Sequence, residues 1–394
     1  MTQKKKPVLR FKGFTDDWEQ RKIGDCFTER KESMPKGELL SVTINEGIKR
    51  FSELERHDSS NQDKSKYKKV CIGDIAYNSM RMWQGASGFS DYEGIVSPAY
   101  TVLKPHDGID ARFVSYLFKT KDLIHVFQIN SQGITSDNWN LKFPVLSTIN
   151  IKIPEKIEEQ NKIAEFLAKL DNLITLHQRK YNKLQNLKKY FLEKMFPQNG
   201  KRVPEIRFAG FTDDWEQRKY SDVINLISGQ DFEPSQYNEN KEGIPYLTGA
   251  SCIENGHTVA VRWTQTPRCI AEKGDTVLVC KGSGYGTIAV VDQEKAHIAR
   301  QFMALKAIDG EIDKGFNYYL LYSVIESIKK DARGLIAGIA RDAVLNQPVL
   351  IPNIDEQVKV AHSLTNLDNL ITLHQRKLEK LQNLKKAALD KMFV

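Results

Sequence analysis

The chain contains no apolar run approaching the roughly 20 residues that cross a bilayer as a helix. Its start, MTQKKKPVLRF, lacks the apolar core of a secretory signal, so a cytoplasmic protein is expected. Five cysteines in 394 residues, Cys26, Cys71, Cys252, Cys269 and Cys280, include no C-x-x-C pair and read as reduced thiols. The eight histidines form no H-E-x-x-H spacing, and no G-x-S-x-G nucleophile elbow occurs. The tetrapeptides N-P-P-[FYW] and D-P-P-[FYW], which a methyltransferase acting on an amino group would carry, are also missing. KGSGYGT at 281–287 invites a phosphate-loop reading, but its glycines at 282, 284 and 286 fit neither G-x-x-x-x-G-K-[ST] nor G-x-G-x-x-G. Together these absences point to a reader without a catalytic centre or a metal.

What is abundant is positive charge, 58 Lys plus Arg against 50 Asp plus Glu, for a net +8. A basic balance suggests a polyanionic partner. Residues 1–22 and 153–219 each carry +4, whereas 23–152 carry +1 and 220–351 carry −3. The two large central blocks are therefore near neutral, and nucleic-acid binding by them requires charge segregated onto faces.

The dominant feature is a repeat. LDNLITLHQRKYNKLQNLKKYFLEKMF at 170–196 returns as LDNLITLHQRKLEKLQNLKKAALDKMF at 367–393, with 22 of 27 positions identical. RFKGFTDDWEQRK at 10–22 returns as RFAGFTDDWEQRK at 207–219, at the same offset of 197 residues (10 to 207, 170 to 367). Residues 158–196 and 356–393, which contain the long repeats, hold no Gly or Pro, so each reads as one helix of roughly 58 Å at about 1.5 Å per residue. In a heptad frame starting at Ile163, Ile163, Leu170, His177, Leu184 and Phe191 fall at a, and Phe166, Leu173, Lys180, Leu187 and Lys194 at d. The second copy repeats the frame from Val360, with His374 at a. The two helices are expected to pair antiparallel within the chain and to bring His177 and His374 near one layer.

Each half thus has a lead-in segment, a block of about 130 residues and a long helix. PQNGKRVPE at 197–205 reads as the linker. Within the blocks identity collapses, yet VCIGDIAYNSMRMWQGASG (70–88) lines up loosely with CIAEKGDTVLVCKGSGYGTIAVV (269–291). YTVLKP and FMALKA follow as strands, then FVSYLF and FNYYLL as helix, then a strand ending in Ile-Pro. Alternating apolar residues and frequent turns predict an α+β module, largely antiparallel, present in two divergent copies.

Loops within the blocks supply the candidate reading residues. Asn78, Arg81, Trp83 and Gln84 share a Gly-bounded loop, and these types read adenine, guanine and stacked or methyl surfaces. An ordinary hairpin with Trp83 folded into the core is the competing reading. Lys281, Ser283, Tyr285 and Thr287 supply donors at the corresponding loop, which also reads as a flexible turn. Gln132, Thr135 and Asn138, and Arg333, Arg341 and Asn346, lie just before the returning strands and form a second candidate surface, with capping roles as the alternative. Lys66 and Lys68, in KSKYKKV, suit either phosphate contacts or a solvated turn. Apolar residues outside the heptad frame, Ile174, Leu176, Tyr181, Ile371, Leu373 and Leu378, are expected to form two docking sites together with Trp18 and Trp215.

The order of lead-in segment, variable block and long helix, twice over, resembles the specificity subunit of type I restriction-modification enzymes. The resemblance rests on RF-x-GF-x-DDWEQRK, on the IP…EQ-x-x-[IV]-A helix starts (Pro154, Glu159, Gln160, Ala164; Pro352, Glu356, Gln357, Ala361) and on LDNLITLHQRK…KLQNLKK…KMF. It implies two α+β target recognition domains, each reading one half of a split double-stranded DNA site, joined by two long antiparallel coiled-coil helices. It assigns residues 1–152 and 207–351 to the recognition domains, 153–196 and 352–394 to the helices, and 197–206 to the linker. It also implies two methyltransferase subunits docked on the scaffold and two restriction motor-nuclease subunits in the larger complex. S-adenosylmethionine, ATP and Mg then belong to those partners, with no cofactor in this chain. Two rival readings stay open at this point: an enzyme acting on DNA unaided, and a coiled-coil adaptor with two protein-binding domains.

Overall fold

Two 38-residue helices, Ile157–Lys194 and Ile354–Lys391, form where the sequence is free of Gly and Pro. Both place two acidic residues in the first turn and a lysine in the last, which suits the helix dipole. Asn353 Oδ1 accepts the Glu356 N–H at 3.0 Å and so caps the second. The computed structural model describes residues 6–44, 46–54, 57, 60–134, 138–198, 200–282, 284–331 and 338–394. Among them, no helix is long and apolar enough to cross a membrane.

The chain divides into two units: residues 1–177 with 377–394, and residues 178–376. The division falls inside both long helices, so each unit contains one block and a segment of each helix. In the first unit Lys385 reaches Asp171 at 2.5 Å, and in the second Lys188 reaches Asp368 at 2.7 Å. Toward the end of the second helix Phe393 packs with Phe113 and Trp18, close to the start of the first helix. The segments therefore run antiparallel, and the contact at 171–385 recurs at 368–188, the same offset of 197.

The seam differs in phase from the sequence expectation. The seam positions, each buried or half-buried, run 163, 167, 170, 174, 177, 181, 184, 188 and 191 along the first helix and reach 195 just past it, and the seam of the second lies 197 later. Ile174 and Tyr181 are thus seam residues, as are Ile371 and Leu378, which are buried. Leu173, Leu187, Leu370 and Leu384, expected at d, are 36–47% exposed. The spacing of alternately four and three residues is kept, but the second stripe lies one position later than the d assignment. That placement removes Lys180 and Lys377 from the interface and lets Lys188 and Lys385 pair with aspartates. His374 is buried and His177 half-buried, each on the seam of its own unit.

The blocks are built on a shared plan. Lead-in strand Glu19–Lys22 pairs antiparallel with Asn150–Ile153, and Glu216–Lys219 with Pro348–Ile351. In the first unit the strand order is Phe27–Glu29, Tyr100–Pro105, Ile75–Asn78, Ser87–Phe89. In the second it is Ile224–Ser228, Phe302–Ala307, Thr276–Val279, Ile288–Val290, extended by His257–Thr258 and Ile253–Glu254. The four common strands are antiparallel in both units, as the alternating pattern predicts. The second block adds another four-stranded sheet in which Ile244–Leu247 runs parallel to Lys295–Ile298.

Each block shares an apolar core with its long helix and is also tied to it through backbone atoms. Gln160 Oε1 accepts the Asp110 N–H at 3.0 Å, and its Nε2 donates to Pro154 and Gly108 carbonyls at 2.9 and 3.3 Å. Gln357 repeats this with Asp313 N–H, Pro352 O and Glu311 O at 2.8, 2.9 and 3.3 Å. The lead-in segment is held by bidentate pairs, Arg10 to Glu159 at 2.6 and 2.7 Å and Arg207 to Glu356 at 2.7 and 2.8 Å. Both glutamates are almost fully buried, and the paired carboxylate raises each arginine's pKa.

Candidate nucleic-acid interface

In the first unit, the chain turns from strand Ile75–Asn78 into Ser87–Phe89 through a 3₁₀ segment, Met82–Gln84. Gly85 closes it at φ 80°, a conformation a side chain disfavours. Asn78 Oδ1 accepts the Met80 N–H at 3.0 Å, and the Trp83 indole N–H donates to Met80 O at 3.1 Å. Arg81 is exposed and donates to Gln84 Oε1 at 3.3 Å. The competing reading of Trp83 is met halfway: the ring is half-buried, edge-on to Trp139 with centroids 5.2 Å apart.

That contact joins two loops that lie far apart in sequence. The Leu141 N–H donates to Ser79 O at 2.8 Å, and Gln132 and Asn140 exchange backbone hydrogen bonds at 3.0 and 2.8 Å. Arg81, Gln132 and Asn138 are exposed along the joined edge. Beneath it, Lys119 Nζ donates to the carbonyls of Ile44 and Gly85. Burial, helped by nearby Lys385, pushes the Lys119 pKa down to about 8. Thr135 lies outside the described residues.

The second unit repeats the construction with other side chains. The Ile339 N–H donates to Cys280 O at 2.8 Å, matching Leu141 on Ser79, and Lys281 bridges to Gly338. Val279 and Thr287 close the hairpin at 2.8 Å. Exposed Tyr285 has the Lys329 ammonium 5.9 Å from its ring centre. Arg341 opens the short helix Arg341–Leu345 and donates to Ser228 Oγ at 3.2 Å. Ser283 and Arg333 lie outside the described residues. Asn346 is exposed but leads into Gln347, whose carbonyl takes the Tyr220 N–H at 2.9 Å, so it sits toward the scaffold.

The lysine-rich turn is placed less simply. Lys68 lies 3.6 Å from Glu29, so part of its charge is already answered. Lys66 lines, with Asn61, Asp63, Tyr67 and Tyr100, an open cavity of ≈ 580 Å³. Ser79 Oγ, bonded to Ala99 O at 2.7 Å, connects that wall to the first loop. The sequence reading passed over Arg262 and Arg268, which lie over the Tyr237 and Phe232 rings at 4.8 and 5.5 Å. Their only sequence signal was the pair of arginines in RWTQTPR.

The docking expectation needs correction. Trp18 is 4% and Trp215 0% exposed, because both close the cores beneath the lead-in segments. Ile371 and Leu378 are covered by the seam, and Ile174 and Tyr181 are half-covered. What remains outward is Leu176 at 60% and Leu373 at 46%. Leu173 and Leu370, three residues earlier on the same helix faces, are exposed beside them.

Comparison with known proteins places these features. The family model described as type I restriction modification DNA specificity domain matches twice, over residues 15–186 and 212–383. The MjaVIII type I restriction enzyme specificity subunit of Methanocaldococcus jannaschii is 26% identical over 409 residues, covering 95% of this chain and 92% of that one. The crystal structure of the type I restriction-modification S subunit from M. genitalium superposes with TM-score 0.68 at 16% identity, covering 99% of each chain. A structure from work on complex assembly and conformational transition of the type I R-M system gives TM-score 0.52 at 18% identity, covering 95% and 97%.

Proposed function

The chain belongs to the family of type I restriction-modification specificity subunits, and from that premise we propose that it reads a two-part DNA target, one half-site per block. The observation that carries this reading is the pair of equivalent loop edges. The same hydrogen bond, Leu141 to Ser79 and Ile339 to Cys280, joins corresponding loops in both units. One edge displays Arg81, Gln132 and Asn138, the other Lys281, Tyr285 and Arg341. Equal frames carrying different donors and acceptors suit two readings of two sequences.

In this reading the chain itself is non-catalytic. It holds two methyltransferase subunits, with two restriction subunits joining the larger complex. Adenine-N6 methylation and ATP-driven cleavage then belong to those partners with their S-adenosylmethionine, ATP and Mg, in the cytoplasm. The outward leucines 173, 176, 370 and 373 offer equivalent apolar contacts in each unit for the methyltransferase pair.

The test is to map methylated sites in cells that carry the chain with its partner subunits. A motif of two fixed half-sites around an unread spacer is expected. Purified chain that binds DNA with no steep loss of affinity as salt rises would favour the protein-adaptor reading, since phosphate contacts release counterions.

A further inference from the structure

One carboxylate in each unit joins three separate elements. In the first unit Tyr116, on the block helix Ala111–Leu117, donates its hydroxyl to Asp171 Oδ2 at 2.8 Å. Asp171 lies on the first long helix, and its other oxygen takes Lys385 from the second long helix at 2.5 Å. The Lys385 ammonium is also 5.8 Å from the Tyr116 ring centre. In the second unit Tyr319 donates to Asp368 Oδ2 at 2.8 Å, while Lys188 reaches Asp368 Oδ1 at 2.7 Å and stands 5.9 Å from the Tyr319 ring.

The triangle is more than a surface ion pair. Tyr319 is 2% exposed and Tyr116 half-buried, and burial next to the carboxylate raises the pKa of both hydroxyls, so they remain donors. The lysines occupy seam positions 188 and 385, where an apolar residue would otherwise sit. Comparison within the chain adds a second argument. The blocks have lost almost all common sequence, yet FVSYLF and FNYYLL keep this tyrosine in place. Elsewhere Gln160 and Gln357 take block backbone carbonyls and N–H groups, and block side chains such as Phe113 and Phe316 share the helix's apolar core. The tyrosine is a block side chain that meets the carboxylate fixing the register of the two helices.

We propose that Tyr116 and Tyr319, with Asp171–Lys385 and Asp368–Lys188, are positioning residues that lock each reading block to the helix pair at one angle and height, and so make the complex selective for a single spacer length. The proposal rests on the DNA-reading function above. One base pair shifts a half-site by about 3.4 Å along the duplex, so a block held by this triangle cannot follow a mis-spaced site without breaking a charge-assisted hydrogen bond.

Complexes of the full chain with its methyltransferase subunits are assembled as wild type, Tyr116→Phe, Tyr319→Phe and the double variant, and methylation is scored on a library of spacer lengths. Phenylalanine keeps the packed ring and removes only the hydroxyl; Asp171→Asn and Asp368→Asn remove instead the charge that both the hydroxyl and the lysine meet. Wild type is expected to modify one spacing. In the variants, modification of sites one base pair longer or shorter should rise about tenfold relative to the cognate spacing, as expected for one lost hydrogen bond to a charged group. The half-site sequences should stay the same. A uniform fall at all sites with the spacing preference intact would reduce the triangle to ordinary packing and overturn the proposal. A wild-type motif without two half-sites would remove the DNA-reading premise itself, and the two failures are therefore distinguishable.

Discussion

The last residues of the chain complete the core of the first unit, and this makes Phe393→Ala a sharp test of the architecture. The Phe393 ring is 8% exposed, 5.3 Å from the Phe113 ring and 6.2 Å from Trp18. Removing a buried phenylalanine costs about 3–5 kcal/mol, so a loss of at least about 3 is expected. Stability of a domain is roughly 5–15 kcal/mol, so this loss is a fifth of it or more. For a unit of this size the melting temperature should fall by about 6–12 °C. Hydrogen exchange assigns the loss: peptides from residues 75–117 should lose protection, whereas those from 276–328 should not. Phe196→Ala, whose ring stacks on Phe316 at 5.5 Å, should give the opposite pattern. A Phe393→Ala protein melting within a degree of wild type, or losing protection equally in both units, would refute the reasoning.

Arg81→Ala should relax discrimination at one base position by about 1–3 kcal/mol if the guanidinium grips a guanine, and uniform weakening across sequences would mark a phosphate contact instead. Leu176→Asp with Leu373→Asp should lower the number of methyltransferase subunits bound, read by native mass spectrometry, while both blocks stay folded; unchanged stoichiometry excludes these faces. Lys119 has its pKa depressed to about 8 from an ordinary 10.5, so the folded state holds fewer protons than the unfolded between those values and stability should rise with pH across that window. Urea melts should show this rise in wild type and not in Lys119→Met, and parallel profiles would count against it. Four helix-forming residues inserted after both Lys183 and Lys380 lengthen each helix by about 6 Å and turn the seam by only roughly 40°, so methylated motifs should keep their half-sites and gain one or two spacer base pairs. A stable variant with an unchanged spacer would show that the helices do not set the distance.

Much of the scaffold was legible because repetition needs no second sequence. The long helices, the strands YTVLKP and FMALKA and the returning Ile-Pro strands all lie where pattern puts them. The seam phase was misread for a physical reason. A stripe spaced seven apart has two possible companions, three or four residues on, and leucines at 173 and 187 made the first look apolar. The true companion stripe contains Lys188 and Lys385, whose placement makes sense only once each is seen to meet an aspartate on the opposite helix. The loop edges were legible as loops but not as pairs, since Leu141 to Ser79 and Ile339 to Cys280 are hydrogen bonds between residues about sixty apart. The docking tryptophans failed because an aromatic in a repeated segment is as useful for closing a core as for meeting a partner.

The way the blocks are attached explains how two such different readers fit one scaffold. Gln160 and Gln357 each bind one backbone N–H and two backbone carbonyls, groups that every sequence supplies. The lead-in strands pair with the returning strands through backbone ladders as well. A block can therefore exchange its exposed side chains, including those on the loop edge, without disturbing what holds it, provided its core residues against the helix stay apolar. The block side chains that set geometry are the core aromatics against the helix, Phe113 and Phe316, and the tyrosine that meets the helix carboxylate. Replacing residues 23–150 by the matching block of a relative that retains the tyrosine should then change one half-site and leave the other half-site and the spacer as they were. A donor block lacking the tyrosine should change the same half-site and loosen the spacer too. If the two donors gave equal spacer selectivity, attachment through the backbone and the shared apolar core would suffice and the tyrosine would have no geometric role.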